Sequence, residues 1–264
     1  MSKILLFTPM YNCEKQIVRV LAQMTPEVSQ YIAEWIIVNN RSTDNGEAVV
    51  TDYLKTHNMG LKVSLLRNDE NYGLGGSHKV AFDYALKNGF DYIIVLHGDD
   101  QGDISNIMPY LRNEEYKQYD CFLGARFMKG SKLQGYSAFR TFGNKVYNAL
   151  FAIGCGRKVY DLGSGLNMYR VGILRDGFYM KNKDNLMFNY CMVMEHAYYK
   201  HKVKFFPIIW REDDQVSNVK MINQAITVLK MLGSYIKDRK AFVEGEHREK
   251  IIDAYTAQFV YSNS

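Results

Sequence analysis

No stretch of this chain reaches the ~18 consecutive apolar residues that a membrane-spanning helix needs, so any contact with lipid has to be peripheral. Its cysteines, Cys13, Cys121, Cys155 and Cys191, are scattered, with no CxxC pair and no histidine spacing of the kind that holds zinc. They read as reduced thiols of a cytoplasmic protein rather than as a disulfide framework. No basic block with interleaved aromatic residues supports nucleic-acid binding. The balance of 33 Lys and Arg against 28 Asp and Glu leaves a net charge of only +5, which suits anionic small substrates or a membrane surface. The N-terminus runs from Met1-Ser2-Lys3 into an apolar strand of about five residues, too short for a signal sequence. Internal repeats and low-complexity linkers are absent, and nothing fixes the oligomeric state, which leaves self-association open.

What is present is an ordinary globular composition, 47% hydrophobic and 23% charged over 264 residues, enough to bury a full core. Apolar runs at 3–8, 35–38, 61–66 and 92–96 predict four strands. Segments with helical spacing at 14–24, 47–56 and 76–88 fall between them. This alternation predicts an α/β fold with a mostly parallel central sheet and helices on both faces. After residue 104 the rhythm loosens. Helices are expected over 106–114, 142–153 and 185–200, with strands at 121–124, 163–169 and 203–210. An amphipathic helix is expected over 218–238, through Ile222, Ile226, Leu229, Leu232 and Ile236. The reading divides the chain into 1–217, with halves 1–104 and 105–217, and a C-terminal helical tail, 218–264.

The most informative stretch is Tyr92-Ile-Ile-Val-Leu-His-Gly-Asp-Asp-Gln-Gly-Asp103, an apolar strand that ends in His97, Asp99, Asp100, Gln101 and Asp103. Open α/β sheets place ligands beyond the carboxyl ends of their strands. A carboxylate and an amide oxygen two residues apart there suit Mg²⁺ or Mn²⁺ carrying a substrate diphosphate; the alternative is a solvated acidic turn. Three further turns fall at the same edge. Pro9-Met-Tyr-Asn12 ends the first strand, where Tyr11 can offer a ring to a base and a helix start can meet an anion. Asn39-Asn40-Arg41-Ser42 carries the paired donor and acceptor that a nucleobase edge requires, or simply favours a turn. Asn71-Tyr-Gly-Leu-Gly-Gly-Ser-His78 supplies glycines for close backbone approach, but not in GxGxxG spacing.

Taken in order, PMYN at 9–12, NNRSTD at 39–44, ENYGLGGS at 70–77, HGDDQ at 97–101, GARF at 124–127 and DLGSGLNMYR at 161–170 resemble the inverting family-2 glycosyltransferases. The branch they most resemble is that of dolichol-phosphate mannose synthase and the polyprenyl-phosphate glycosyltransferases. The resemblance runs from about residue 3 to 220. It implies a GT-A fold, a UDP- or GDP-sugar donor, a Mg²⁺ or Mn²⁺ ion, and a saccharide or polyprenyl-phosphate acceptor in surface polysaccharide or glycolipid synthesis. By position it implies that Pro9, Tyr11, Asn12, Ser42, Gly75 and Gly98 line the nucleotide-sugar pocket, and that Asn39 or Asn40 meets the base. Asp99 and Gln101 would hold the metal and the diphosphate. Arg126, with Arg140, Arg211 and Lys220, would neutralise phosphate. Three departures stand out: the family's PxYNE is PMYNC, its Asp-Asp pair is Asn39-Asn40, and the first carboxylate of its DxD is His97, which can ligate metal, bond the ribose or pack.

An acceptor phosphate is already an anion and needs no general base, whereas a sugar hydroxyl needs a carboxylate to take its proton. Asp184, where relatives keep their basic carboxylate, and Asp161 are the candidates; each could equally be a helix-start or turn residue. The acids following Trp210 would repel a phosphate acceptor and so favour a hydroxyl. Lys220, Lys230, Lys237, Arg239 and Lys240 flank the last helix, which either rests on anionic lipid at the inner face of a membrane or packs on its own domain. Two other functions share this sheet: a noncatalytic nucleotide-sugar-binding assembly subunit, and a sugar-phosphate nucleotidyltransferase. The latter usually carries a Gly-, Arg- and Lys-bearing loop where this chain has Pro9-Met-Tyr-Asn12.

Overall fold

The computed structural model of the chain describes residues 2–212 and 221–263. The first half alternates as the sequence predicts: β1 (Ile4–Met10), α1 (Glu14–Ala22), a single helical turn α2 (Pro26–Ser29), β2 (Glu34–Asn39), α3 (Gly46–Thr56), β3 (Lys62–Asn68), α4 (Gly73–Lys87) and β4 (Tyr92–Leu96). Then come α5 (Met108–Arg112), β5 (Cys121–Ala125), β6 (Lys132–Gln134), α6 (Ala138–Cys155), β7 (Leu166–Arg170), α7 (Phe188–Tyr198), β8 (Val203–Pro207) and β9 (Ile209–Arg211). The chain closes with α8 (Met221–Lys237), α9 (Arg239–Glu244) and β10 (Ala257–Ser262).

Eight strands form one sheet in the order β10-β3-β2-β1-β4-β7-β5-β8. Neighbours among β3, β2, β1 and β4 run parallel, as do β5 and β8, while β7 and β10 are antiparallel to their partners. Burial on both faces explains the near-continuous apolar runs of the central strands. Successive side chains enter opposite cores: Leu5 and Phe7 join one cluster with Phe82 and Phe188, Ile4 and Leu6 the other with Ile17 and Trp35. Helix α1 follows the same logic, burying Ile17, Val20 and Leu21 on a single face.

Several expected boundaries shift for identifiable reasons. β1 continues through Pro9 to Met10. Proline forfeits one ladder donor there, but its carbonyl still accepts from Gly98 N at 3.1 Å. The single helix expected over 106–114 is instead a 3₁₀ turn at Ile104–Asn106, the five-residue α5 and another 3₁₀ turn at Glu115–Gln118. The strand expected over 203–210 divides after Pro207, β8 staying on β5 while β9 pairs with β6. The C-terminal segment is not wholly helical: β10 pairs with β3 at the edge of the main sheet.

Candidate functional site at the carboxyl edge of the sheet

The loops after β1 and β2 lock each other. Asn12, at φ 49°, donates its backbone N–H to Ser42 Oγ and accepts from Thr43 N at 2.8 Å. Glu14 N donates to Asp44 Oδ2, and Asn45 N donates back to Glu14 Oε2, each at 2.9 Å. The one-residue displacement of glutamate thus keeps a job at the start of α1, as a clamp between turns. Tyr11 stands about half exposed at the rim, while Pro9 is buried in β1.

Asn39 and Asn40 are not free to read a base, contrary to expectation. Both are buried and spent on the protein: Asn39 donates to Glu47 and accepts from Ser42 N, and Asn40 donates to Asn71 and accepts from Asn68 and Tyr72 N. Asn40 thereby ties the loop after β2 to the loop after β3, as Asn12 and Glu14 tie it to the loop after β1. Gly75 is likewise not open to a ligand. A Cβ there would lie 2.4 Å from the Lys183 carbonyl, because the 183–185 segment sits on the start of α4 and Gly75 N donates to Asp184 O at 2.6 Å.

Beyond β4 the two adjacent carboxylates diverge. Asp100, at φ 58°, is buried and accepts from Arg19 Nε at 2.6 Å, Gln23 Nε2 at 3.1 Å and Arg211 Nη2 at 3.3 Å. Arg211 is therefore committed to a carboxylate. Asp99 stays part-exposed, with Oδ1 accepting from Gln101 N at 3.2 Å. Desolvation, with Asp100 close by, pushes its carboxyl up to about 6. Such an anion gains more than an ordinary one from a nearby cation. Gly98 makes the turn fit, since a Cβ would lie 3.0 Å from Pro9 O and 3.2 Å from Cys13 Sγ. His97 packs over Gly165, where a Cβ would meet its Cγ at 3.0 Å. Burial, with Arg126 nearby, pulls its imidazole down to about 4, so the ring is neutral. Its Nε2 is buried without a partner among the described residues, while Nδ1 lies 4.0 Å from Asp99 Oδ2. Only Nδ1 could share a ligand with Asp99.

The expected phosphate-binding arginines are already engaged. Arg126 donates from Nε and Nη2 to Asp161, and Arg140 Nη1 reaches both Glu212 oxygens at 2.7 and 2.6 Å. Asp161 is correspondingly not a proton acceptor: besides Arg126 Nε and Nη2 it takes the backbone N–H groups of Arg126 and Gly163, filling both oxygens. Asp184 accepts from the fully buried Lys79 Nζ at 2.7 Å and from Tyr255 OH at 2.9 Å, so its second oxygen faces the same hydroxyl, at 3.0 Å. Lys220 lies outside the described residues.

Lys79 and Tyr255 carry no sequence signal for this role. Lys79 sits inside an apolar helix pattern, and Tyr255 comes from a segment 71 residues beyond Asp184. A cluster of Cys121, His196 and His201 forms at the opposite edge of the sheet, at the start of β5, although chain spacing gave no hint of it. Cys121 Sγ lies 3.4 Å from His196 Nε2, and His196 Nδ1 lies 3.0 Å from His201 Nδ1. Burial lowers both histidines, so a neutral hydrogen-bonded chain accounts for the group, with Arg157 donating to both backbone carbonyls.

Solved structures share this architecture at low sequence identity. Glucosyl-3-phosphoglycerate synthase from Mycobacterium tuberculosis, in complex with UDP, matches with a TM-score of 0.60 at 13% identity, over 89% of this chain and 80% of that one. TarS of S. aureus, residues 1–349 with UDP-GlcNAc, matches with a TM-score of 0.58 at 16% identity, over 89% of this chain and 67% of that one. A mannosyltransferase from Pyrobaculum calidifontis, in complex with GDP-Man and Mn²⁺, matches with a TM-score of 0.56 at 14% identity, over 93% and 66%. In another structure of TarS 1–349 the chain spans 66% of the length. These likenesses establish the GT-A fold. The model of glycosyl transferase family 2 matches residues 6–178, from β1 to a few residues past β7, and the chain belongs to that family.

Proposed function

We propose that the protein transfers a sugar, with inversion, from a UDP- or GDP-sugar to an acceptor that is already an anion, a lipid-borne phosphate rather than a sugar hydroxyl. The observation that carries the donor half of this reading is the place of Asp99, part-exposed just past the carboxyl end of β4 and beside Gln101. The donor set fits a divalent ion: Asp99 and the Gln101 side chain are hard-oxygen ligands, and His97 could join only through Nδ1. When bound, such an ion neutralises charge growing on the departing diphosphate. The rest falls to the protein. The interlocked loops after β1, β2 and β3 form a preorganised edge, and Tyr11 is the exposed ring there for a base to stack on. Fixed geometry of this kind needs no reorganisation during transfer.

The acceptor half rests on proton bookkeeping. Asp161 is saturated by Arg126, and Asp184 is held by a buried lysine and a tyrosine hydroxyl. Partners of this kind weaken both as bases for a hydroxyl, whereas an acceptor phosphate asks for none. Glu212, one of the acids expected to repel phosphate, is neutralised by Arg140.

The test is a thermal-shift screen of UDP- and GDP-sugars with and without Mn²⁺, followed by transfer assays on polyprenyl phosphate and on free saccharides. Mn²⁺-dependent stabilisation by one donor and product formation only with the phosphate acceptor is the expected result. Donor binding without turnover on either acceptor would make the protein a binding subunit. Transfer to a hydroxyl would overturn the acceptor, and pyrophosphate release from a nucleoside triphosphate would make it a nucleotidyltransferase.

A further inference from the structure

Helix α6 carries a row of large apolar side chains that the described residues leave uncovered. Phe139, Phe142, Val146, Leu150 and Ile153 are all exposed, with Phe139 and Ile153 at 77% and Phe142 at 68%. At 3.6 residues per turn these five positions fall within an arc of ~80°, so they form one continuous stripe along the helix. The opposite side is the ordinary core face, burying Asn148, Phe151, Gly154 and Cys155. Helix α8 lies against α6 at Gly154, whose absent Cβ would stand 2.7 Å from Leu232 Cδ1 and 3.1 Å from Ile236 Cδ1. It too has two apolar sides. Val228, Met231, Leu232 and Tyr235 are buried, whereas Ile226, Leu229 and Ile236 are exposed. Core packing therefore accounts for only part of the apolar side chains described on each helix.

The charge pattern says what the uncovered half is for. Neither helix contains an aspartate or glutamate, while Lys145, Lys230 and Lys237 are exposed on them; just beyond their ends Lys158 and Arg239 are exposed, Asp238 stands between Lys237 and Arg239, and Lys240 pairs with Glu244. Apolar side chains flanked by lysines, on two helices that themselves carry no acid, match an interface whose anions sit outside an apolar layer. A two-fold dimer through this face would instead bring lysine rows together with no carboxylate on either helix to pair with them. Among the described residues no helix is long and apolar enough to cross a membrane, so the association would be lateral.

We infer that the α6–α8 face docks on an anionic lipid surface, with the apolar stripe entering the headgroup boundary and the lysines meeting lipid phosphate. This goes beyond the transfer reading and stands independently of which donor or acceptor is used.

The experiment is cosedimentation of the full chain with vesicles of phosphatidylglycerol and phosphatidylcholine, against phosphatidylcholine alone, at low and high salt. Wild type is compared with Phe142→Ser/Ile153→Ser and with Lys230→Glu/Lys237→Glu, each checked for wild-type melting. Binding to the anionic vesicles only, weakened by salt and reduced at least ~10-fold by either double variant, is the expected result. Absence of binding to anionic vesicles, or binding indifferent to both variants, overturns the proposal. So does a concentration-dependent dimer in light scattering that the serine variant disperses, which would give the face to a second copy. Donor-induced thermal shift is read on the same samples. Its absence would count against the transfer reading while leaving the vesicle result standing.

Discussion

Arg126 and Asp161 meet side-on, Nε to Oδ2 at 2.8 Å and Nη2 to Oδ1 at 2.7 Å, and the pair fastens the end of β5 to the loop that enters β7. The Asp161 side chain is only 1% exposed, so its removal leaves a guanidinium without its counter-charge in a largely buried place. Asp161→Ala should lower stability by about 3–5 kcal/mol, read as a drop in the urea midpoint. A loss under ~1 kcal/mol would mean that Arg126 finds another partner, or water, at little cost.

Asp184 tests structure against chemistry. Replacing it by alanine strands Lys79 in the core and should cost a similar ~3–5 kcal/mol, whereas Tyr255→Phe removes one hydroxyl donor and should cost about 1 kcal/mol. Asp184→Asn, assayed where it is folded, should keep transfer within ~10-fold of wild type. A fall of ~10³ or more would restore the carboxylate as a general base.

At the end of β4, Asp99→Asn should leave melting nearly unchanged but abolish Mn²⁺-dependent stabilisation by donor. Turnover should fall by about 10²-fold or more, the scale seen when a stabilising group is removed from a developing charge. Wild type treated with EDTA should behave in the same way. Undiminished turnover in both would remove the metal from the mechanism.

Glu195 offers a pH signature remote from the site. It is buried, accepts from Asn182 Nδ2 at 2.6 Å, and burial raises its carboxyl well above the usual range. With the folded value above the unfolded one, its contribution is fully present below the unfolded pKa and fades as pH rises toward the folded one. Glu195→Gln removes that loss, so its melting temperature should exceed that of wild type at about pH 8.5 and converge with it near about pH 4. Parallel profiles at both pH values would show that the carboxyl is not protonated in the fold.

Much of the first half was legible because its signals are local. The apolar alternation of β1 to β4, and the abrupt change from Leu96 to His97 and Asp99, lie within a few residues of one another. The roles of Asn39 and Asn40 were not, since turn residues look alike whether they face ligand or protein. Here the deciding partners, Asn68 and Tyr72, lie 28 and 32 residues beyond Asn40. Arginines at 126, 140 and 211 read as phosphate ligands for the same reason, their carboxylate partners being distant in the chain. β10 escaped notice because Ala257–Ser262 is a short edge strand with a register shift between Phe259 and Tyr261, which breaks the alternation that would have marked it.

That last strand changes how the molecule can be handled. Ser262 Oγ donates to Val63 O across 199 residues of chain, so the β3 edge of the sheet is completed by residues from far along the sequence. Trimming the chain after α9 would uncover the hydrogen-bonding edge of β3 and invite other strands to it. A version shortened in this way should clump rather than fold cleanly.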